Sequence, residues 1–467
     1  MQSKPIFTSE SQVRDMENTK TNQITEGVIW KQLLLFFFPI LFGTFFQQLY
    51  NAVDAIIVGR SVGKEALSAV GGGTGTFINL LVGFFVGISS GATVVISQHY
   101  GAQNKRMVRS AVHTAIAFSI LAGLLIMVVG LWTAPAVLKA MDTPTDVLEP
   151  ALMYIRIYFI GIIGNMIYNV GTGILRAIGD SKRPMIFLII GCFTNIILDV
   201  VFVVFFKWGV AGAALATILS QTISAVLVLM VLMRTRDMHQ LEIRRIRLET
   251  RMFISIIQIG LPAGLSSVMY SLSNLIIQSS VNSLGTNTVA AWTAYGKIDS
   301  IFWMIISAFG ISLTTFVGQN FGAGKQERVK KGMKVCLAMS AATTVFVSVM
   351  IYFFGIYFYN LFTTDAVVKE IGIDILRYLV PFYITYILIE ILSGSLRGVG
   401  DCWMPTILCF LGICMLRVVW LTTVVPAHRE LHTILFSYPM TWSLTSTLYV
   451  IYFLFFSKLK VVKRKNA

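Results

Sequence analysis

Charge is what this chain of 467 residues has least of, at 13% Asp, Glu, Lys and Arg. An average soluble domain carries about 25%. With 56% hydrophobic residues beside it, so little charge cannot cover a water-soluble core, which excludes an ordinary globular domain. Only five cysteines are present: Cys192, Cys336, Cys402, Cys409 and Cys414. They lack disulfide or metal-ligand spacing, so a stapled scaffold and a zinc module are excluded and they read as small hydrophobes. Nucleotide motifs are missing as well. There is no P-loop and no dinucleotide fingerprint after a strand; the GxGxF at 73–77 stands at the start of an apolar run, without that context. No catalytic constellation appears, so neither enzyme activity nor a cofactor is expected. The five histidines have no ligand spacing and are expected at the surface or at cavity edges. Met1–Glu26 is polar and of mixed charge, unlike a cleavable signal peptide, and reads as a loose tail.

What the chain has is length of apolar run. Leu33–Val58, Phe77–Ile96, Ala111–Leu138, Met185–Phe206 and Ala211–Met233 each reach the roughly 20 residues that cross a bilayer. The pattern repeats between Phe253 and Ser457. Backbone groups in lipid must be satisfied within the segment, so the spans are helices. The expected fold is an all-α membrane protein with about twelve transmembrane helices. The net charge of +15 is placed in alternate connections: Lys105, Arg106 and Arg109; Lys182 and Arg183; Arg234 to Arg251; Lys325 to Lys334; Lys458 to Lys465. That alternation is the positive-inside pattern. It puts both termini in the cytoplasm of a multi-pass protein of the plasma (inner) membrane, and it argues against nucleic acid as the partner. The expected organisation is a tail at 1–28, a six-helix lobe at 29–234, a basic linker at 235–252, a second lobe at 253–457 and a basic tail at 458–467.

The two lobes are repeats. SQHYGAQNKRMVRSA at 97–111 matches GQNFGAGKQERVKKG at 318–332, and GTGILRAIGDSKRP at 171–184 matches SGSLRGVGDCWMP at 393–405. Gln98 and Gln319, Gly101 and Gly322, Arg176 and Arg397, and Asp180 and Asp401 all keep one offset of 221 residues, as do Arg156 and Arg377. Pro39 and Pro262 differ by 223. An even number of spans per half makes the repeat parallel, so two six-helix bundles of one orientation enclose a cavity between them. Asp180 and Asp401 are expected to cap the next helix or to pair with the nearby arginine.

Ionisable residues within spans are costly and by default functional. In the first half these are Asp54 and Asp199. Gln47, Tyr50, Asn51 and Asp54 recur at three- and four-residue steps and form one polar stripe, and Asn195 lies one turn before Asp199. At about 1.5 Å of rise per residue, Asp54, Asp199 and Thr217 fall at one level of the outer half of the membrane. Two carboxylates, an amide and a hydroxyl are oxygen ligands enough for Na⁺. Equally, two close carboxylates in a poorly hydrated site can share a proton. The second half has Ile277 and Trp420 at the matching places, and carries Glu390 and Arg417 instead. These two read either as a buried ion pair that locks helices or as charges that meet substrate. The other arginines, Arg156, Arg176, Arg377 and Arg397, are expected near the membrane interfaces.

PILFGTFFQQLYNAVDAIIVGRSVGKEALSAVG, the SQ-x-x-GA turn, LRAIGDSKRP, NIILDVVF and GVAGAALATILSQ together resemble the multidrug and toxic compound extrusion (MATE) family, prokaryotic type, over about residues 28–457. The resemblance implies a V-shaped pair of six-helix bundles, alternating access, and exchange of Na⁺ or H⁺ for small organic, often cationic, compounds. It implies a cation site at Asp54, Asn195, Asp199 and Thr217, with Tyr50 beside it. Gln47, Asn51, Tyr270, Glu390 and Arg417 are candidates for the substrate cavity. Some members carry a glutamate eight residues after the proline of the seventh span; Tyr270 stands there in this chain, which leaves the N-terminal site as the expected one. The expected partners are small organic substrates, the coupling cation and the lipid bilayer, for a monomer. The alternative from the same superfamily is a flippase for a lipid-linked precursor, which would line its cavity with several cations.

Overall fold

The computed structural model describes residues 24–141 and 143–457; most of the expected 1–28 tail and all of the 458–467 tail lie outside the described residues. Twelve helical units follow one another. They are α1 (Ile29–Ser61), α2 (Lys64–Gly101), α3 (Lys105–Ala140), α4 (the bent pair Thr145–Ile160 and Ile162–Ala177), α5 (Lys182–Phe205) and α6 (Gly209–Arg234). The second set is α7 (Thr250–Asn282), α8 (Thr286–Gly322), α9 (Gln326–Asn360), α10 (Ala366–Gly398), α11 (Trp403–Thr423) and α12 (Leu431–Phe455). No strand occurs among the described residues. Ten of these are long and apolar enough to cross a membrane, and α4, bent by 51° at Gly161, makes eleven. The twelfth, α12, has 25 residues, enough for a span by length, and stands outside those eleven. Its polar residues Ser437, Thr441 and Thr445 are buried against protein.

The apolar excess sits on the outside. Trp132, Phe205, Phe353 and Phe455 are among many large hydrophobic side chains left exposed on the helices. A bilayer covers such a surface; water does not.

The lobes meet most extensively where α2 crosses α7. Glycines make the approach possible: a Cβ on Gly91 would stand 2.2 Å from the Ile256 carbonyl oxygen, and one on Gly260 2.0 Å from that of Ile88. Small residues at such crossings let backbones come close, which is how helices associate where lipid offers no hydrophobic drive. A second close crossing joins α2 to α8 at the face that carries the basic linker. There a Cβ on Gly101 would fall 2.0 Å from the Gln319 carbonyl oxygen, and one on Gly322 1.9 Å from that of Gln98. Gly101 and Gly322 are the repeat partners of the sequence, so this contact lies on the pseudo-twofold axis between the lobes.

Candidate functional site

The polar stripe of α1 faces α5 and α6. Asp54 comes near the far end of α1, and Asp199 is the last residue of the regular part of α5, before a π-helical stretch at Val200–Phe205. Such stretches often mark functional positions. The two carboxyl groups lie close enough to interact directly, and Asn195, Asp199 and Thr217 are buried like Asp54. Thr217 Oγ1 donates to the Ala213 carbonyl at 3.0 Å, which leaves its lone pairs free to accept. The Tyr50 hydroxyl, one turn from Asp54, is faced by the side chains of Gln47 and Gln221, and all three line a small cavity of about 40 Å³. Asn51 is exposed and lines none of the cavities described here.

The pair lacks what buried carboxylates ordinarily have. Asp54 Oδ1, both oxygens of Asp199 and both polar atoms of the Asn195 amide are buried without a hydrogen-bond partner among the described residues. A buried polar group without a partner costs about 1–3 kcal/mol, more if charged. Four of these atoms are oxygens, on three neighbouring residues, and they form a site that a cation or a proton would satisfy, whereas the Asn195 NH2 group only donates. Among the described residues no three His, Cys, Asp or Glu side chains converge as a metal site. Two carboxylates with neutral oxygen donors suit a hard monovalent cation or one shared proton.

The second lobe builds something different at the matching place. A cavity of about 690 Å³ is lined by Tyr270, Trp292, Asp299, Glu390, Arg417 and Trp442, among others. Its wall contains the repeat counterparts of the first-lobe site: Tyr270 stands for Gln47, Ile277 for Asp54, Tyr438 for Thr217 and Trp442 for Gln221. Rings stand at three of these four positions and an aliphatic side chain at the fourth, so the matching site is an aromatic chamber. Asp299 is its additional carboxylate. It accepts from the Trp303 indole N–H at 2.6 Å and from the Tyr383 hydroxyl.

The expected lock between Glu390 and Arg417 is not formed. Glu390 Oε1 meets Arg397 Nη2 at 3.4 Å, because Arg397 lies seven residues on, two turns along the same face of α10. Arg417 turns instead to α12, where it donates to Thr441 Oγ1 at 3.0 Å and its guanidinium carbon stands 4.3 Å above the Tyr438 ring. Arg417 follows a π-helical stretch, Phe410–Met415, whereas Asp199 precedes one.

Arg397 and its repeat partner Arg176 each stand in the last turn of a helix and point inward. Both line a cavity of about 180 Å³ between the lobes, with Thr93 and its counterpart Thr314 in the same wall. His113, expected at the surface or a cavity edge, is buried and lines a cavity; His239, expected likewise, is buried.

The MatE family model matches residues 39–201 and 262–422, one stretch in each lobe and more than half of the chain together. The chain belongs to the MatE family. It is similar to the probable multidrug resistance protein YoeA of Bacillus subtilis, with 30% identity over 402 residues that cover 84% of this chain and 86% of that protein. It is 26% identical to the probable multidrug resistance protein NorM of Thermotoga maritima over 394 residues, 84% of each. Its fold matches a solved outward-facing conformation of a multidrug resistance MATE family transporter of the MOP superfamily. The TM-score is 0.86 at 24% identity, covering 93% of this chain and 97% of that one. This MATE chain is thus a multi-pass membrane transporter of the multidrug efflux family, and such transporters move small substrates across the membrane.

Of the residues singled out in the sequence of this MATE transporter, Asp54, Asn195, Asp199, Thr217 and Tyr50 come together in one lobe. Tyr270, Glu390 and Arg417 share the second-lobe chamber. Asp299 escaped the sequence reading. Lys297 beside it gives the segment the look of a span boundary, and only the 37-residue length of α8 shows that Asp299 is well inside. The repeated Asp180 and Asp401 also part ways. Asp180 caps α5 by accepting from the Arg183 backbone N–H at 3.1 Å and pairs with the same guanidinium at 3.3 Å. Asp401 accepts instead from the Tyr452 hydroxyl at 2.7 Å.

Proposed function

We propose that this MATE transporter is an antiporter that exports small organic compounds, many of them cationic, in exchange for Na⁺ or H⁺. The observation that carries this reading is the group of four unpartnered buried oxygens on Asp54, Asn195 and Asp199. A cation or proton bound there neutralises the pair and changes how α1, α5 and α6 pack, and that change drives the lobes between two arrangements.

The basic linker face is the cytoplasmic one by the distribution of Lys and Arg, in the plasma membrane, with both termini on that side. The α2–α8 contact then closes the cytoplasmic side, so the conformation described here is the outward-facing one. Substrate binds in the second-lobe chamber, where Asp299 offers charge and the surrounding Trp and Tyr rings offer their faces to a cation. Such interactions tolerate varied shapes, which suits a broad exporter.

The flippase reading draws support from Arg176, Arg397 and Arg417 in the cavities. Two carboxylates, Asp299 and Glu390, share the chamber with Arg417, however, and they repel the phosphates that a lipid-linked precursor would bring. Export of a fluorescent organic cation from cells that carry Asp54→Asn or Asp199→Asn tests the proposal. Export should fall at least tenfold in both variants; unchanged export in both would overturn the first-lobe cation site.

A further inference from the structure

The linker between the lobes does more than join them. It folds back on the first turns of α3 and is pinned there by directional bonds. The Glu242 backbone N–H donates to His113 Nε2 at 3.0 Å, while His113 Nδ1 lies 2.6 Å from the Arg109 carbonyl oxygen. A carbonyl only accepts and a backbone N–H only donates, so His113 is the neutral Nδ1–H tautomer and acts as a strut. Seven residues later, at the linker's far end, the Glu249 backbone N–H donates to Thr114 Oγ1 at 3.2 Å, and Ser110 Oγ donates to the Glu249 carboxylate.

Between linker and helix this leaves a cavity of about 780 Å³ lined by six cations: Lys105, Arg106, Arg109, Arg244, Arg245 and Arg247. Glu242 is taken by two of them, Arg109 at 3.2 Å and Arg245 at 2.8 Å. Lys105 and Arg106 on α3, and Arg244 and Arg247 on the linker, have no carboxylate within ion-pair distance among the described residues. They form two cationic walls that face one space, whose lining also holds the Glu249 carboxylate, engaged by Ser110. Ile243 and Leu248, interleaved with the linker arginines, are exposed, as residues that dip into lipid would be.

Solvated positive charge would be spread over the whole basic face and would need no pinned wall. We infer that this cavity binds the headgroup of an anionic membrane lipid that carries two phosphates, one for each cationic wall. Basic recesses beside transmembrane helices are suited to such headgroups. Arg244 and Arg247 chelate one phosphate, Lys105 and Arg106 the other, and Ile243 and Leu248 sit among the upper acyl chains. The inference rests on the linker lying at a membrane surface and is independent of what the protein transports.

The test uses the full chain in detergent. Native mass spectrometry and thermal unfolding are followed while diphosphatidylglycerol, phosphatidylglycerol or inorganic pyrophosphate is added. One diphosphatidylglycerol should be retained per chain and should raise the unfolding temperature more than phosphatidylglycerol at equal phosphate. Arg244→Gln/Arg247→Gln should weaken its apparent affinity about tenfold or more. Lys331→Gln/Lys334→Gln, which removes the same charge from the same face outside the cavity, should not. Equal weakening in both double variants, or no preference for diphosphatidylglycerol, would overturn the site. Pyrophosphate acting as strongly as the lipid would overturn a lipid as its occupant. Because no transport is read, failure here leaves the antiport reading untouched, and failure of antiport leaves this site standing.

Discussion

Gln98 of the first lobe donates its side-chain amide to the backbone carbonyl of Gly398 in the second, at 2.8 Å. Its repeat partner does the same in the other direction: Gln319 donates to the carbonyl of Ala177 at 2.7 Å. Donors and acceptors both keep the 221-residue offset, so the two bonds are related by the pseudo-twofold axis and close one face of the transporter symmetrically. Each such bond contributes about 1 kcal/mol, so Gln98→Ala/Gln319→Ala should favour opening of the linker face by roughly tenfold or more. Labelling of Ser90→Cys, in the interlobe cavity, by an impermeant maleimide applied from the linker face should speed up accordingly. An unchanged labelling rate would mean that these bonds do not hold the closed state.

The same face depends on two positions without a side chain. Alanine at Gly101 or Gly322 would drive a methyl group into a backbone carbonyl oxygen of the other lobe, and backbone cannot move aside as a flexible side chain can. Either substitution should cut export by an order of magnitude while the protein still reaches the membrane. Gly71→Ala, in α2 with nothing within 4 Å of the added carbon and outside the chamber, serves as the control and should transport normally.

Asp199→Asn should separate stability from activity. The amide brings an N–H to the unpartnered Asp54 oxygen and removes a buried carboxylate, an exchange worth about 1–3 kcal/mol. The unfolding temperature in detergent should therefore rise by a few degrees while export is lost. A variant that is less stable than the parent would show that the carboxylate is satisfied in a way the structure does not display.

Asp299→Asn tests the second-lobe chamber. Export of permanently cationic compounds should fall about tenfold, whereas neutral compounds of similar size should be exported nearly as before. Trp303 and Tyr383 donate to different oxygens of Asp299. With the amide oxygen toward Trp303, the amide N–H can donate to the Tyr383 hydroxyl, which also accepts, so folding should be preserved. An equal loss for both classes would assign Asp299 to coupling or to structure.

His239 gives a pH dependence outside the spans. Burial is the main cause that holds its imidazole below the ordinary value of 6.5, with Asp237 pulling the other way, and neither ring nitrogen has a hydrogen-bond partner among the described residues. The folded state thus prefers the neutral ring, and the unfolded chain binds the proton more readily. By linkage, stability is full above about pH 6.5 and declines as the pH falls below it. Thermal unfolding at pH 7.5 and 5.5 should show that loss in the parent and a smaller one in His239→Phe.

Much of this molecule was legible in its sequence, for physical reasons. Apolar runs of span length admit only helices, and the fixed offset between repeated turns admits only a duplication. The stripe of Gln47, Tyr50 and Asp54 had to face protein because lipid would not accept it. Other features carry no such signal. The π-helical stretches after Asp199 and before Arg417 have no sequence mark. The aromatic chamber is built from Trp and Tyr residues that look like any apolar lining until their helices are packed. Glu390 chose Arg397 over Arg417 because a partner on its own helix face needs no tertiary geometry to be in reach, whereas α11 aims Arg417 at Tyr438.

The claim on which the rest depends is that Asp54 and Asp199 carry the coupling cation. Purified protein in liposomes, given an imposed Na⁺ or H⁺ gradient, measures it directly through accumulation of a labelled organic cation against its own gradient. The parent should accumulate substrate when one of the two gradients is imposed. Asp54→Asn/Asp199→Asn should still bind substrate but fail to accumulate it under either gradient. Uphill accumulation by that double variant at the parental rate would contradict the account.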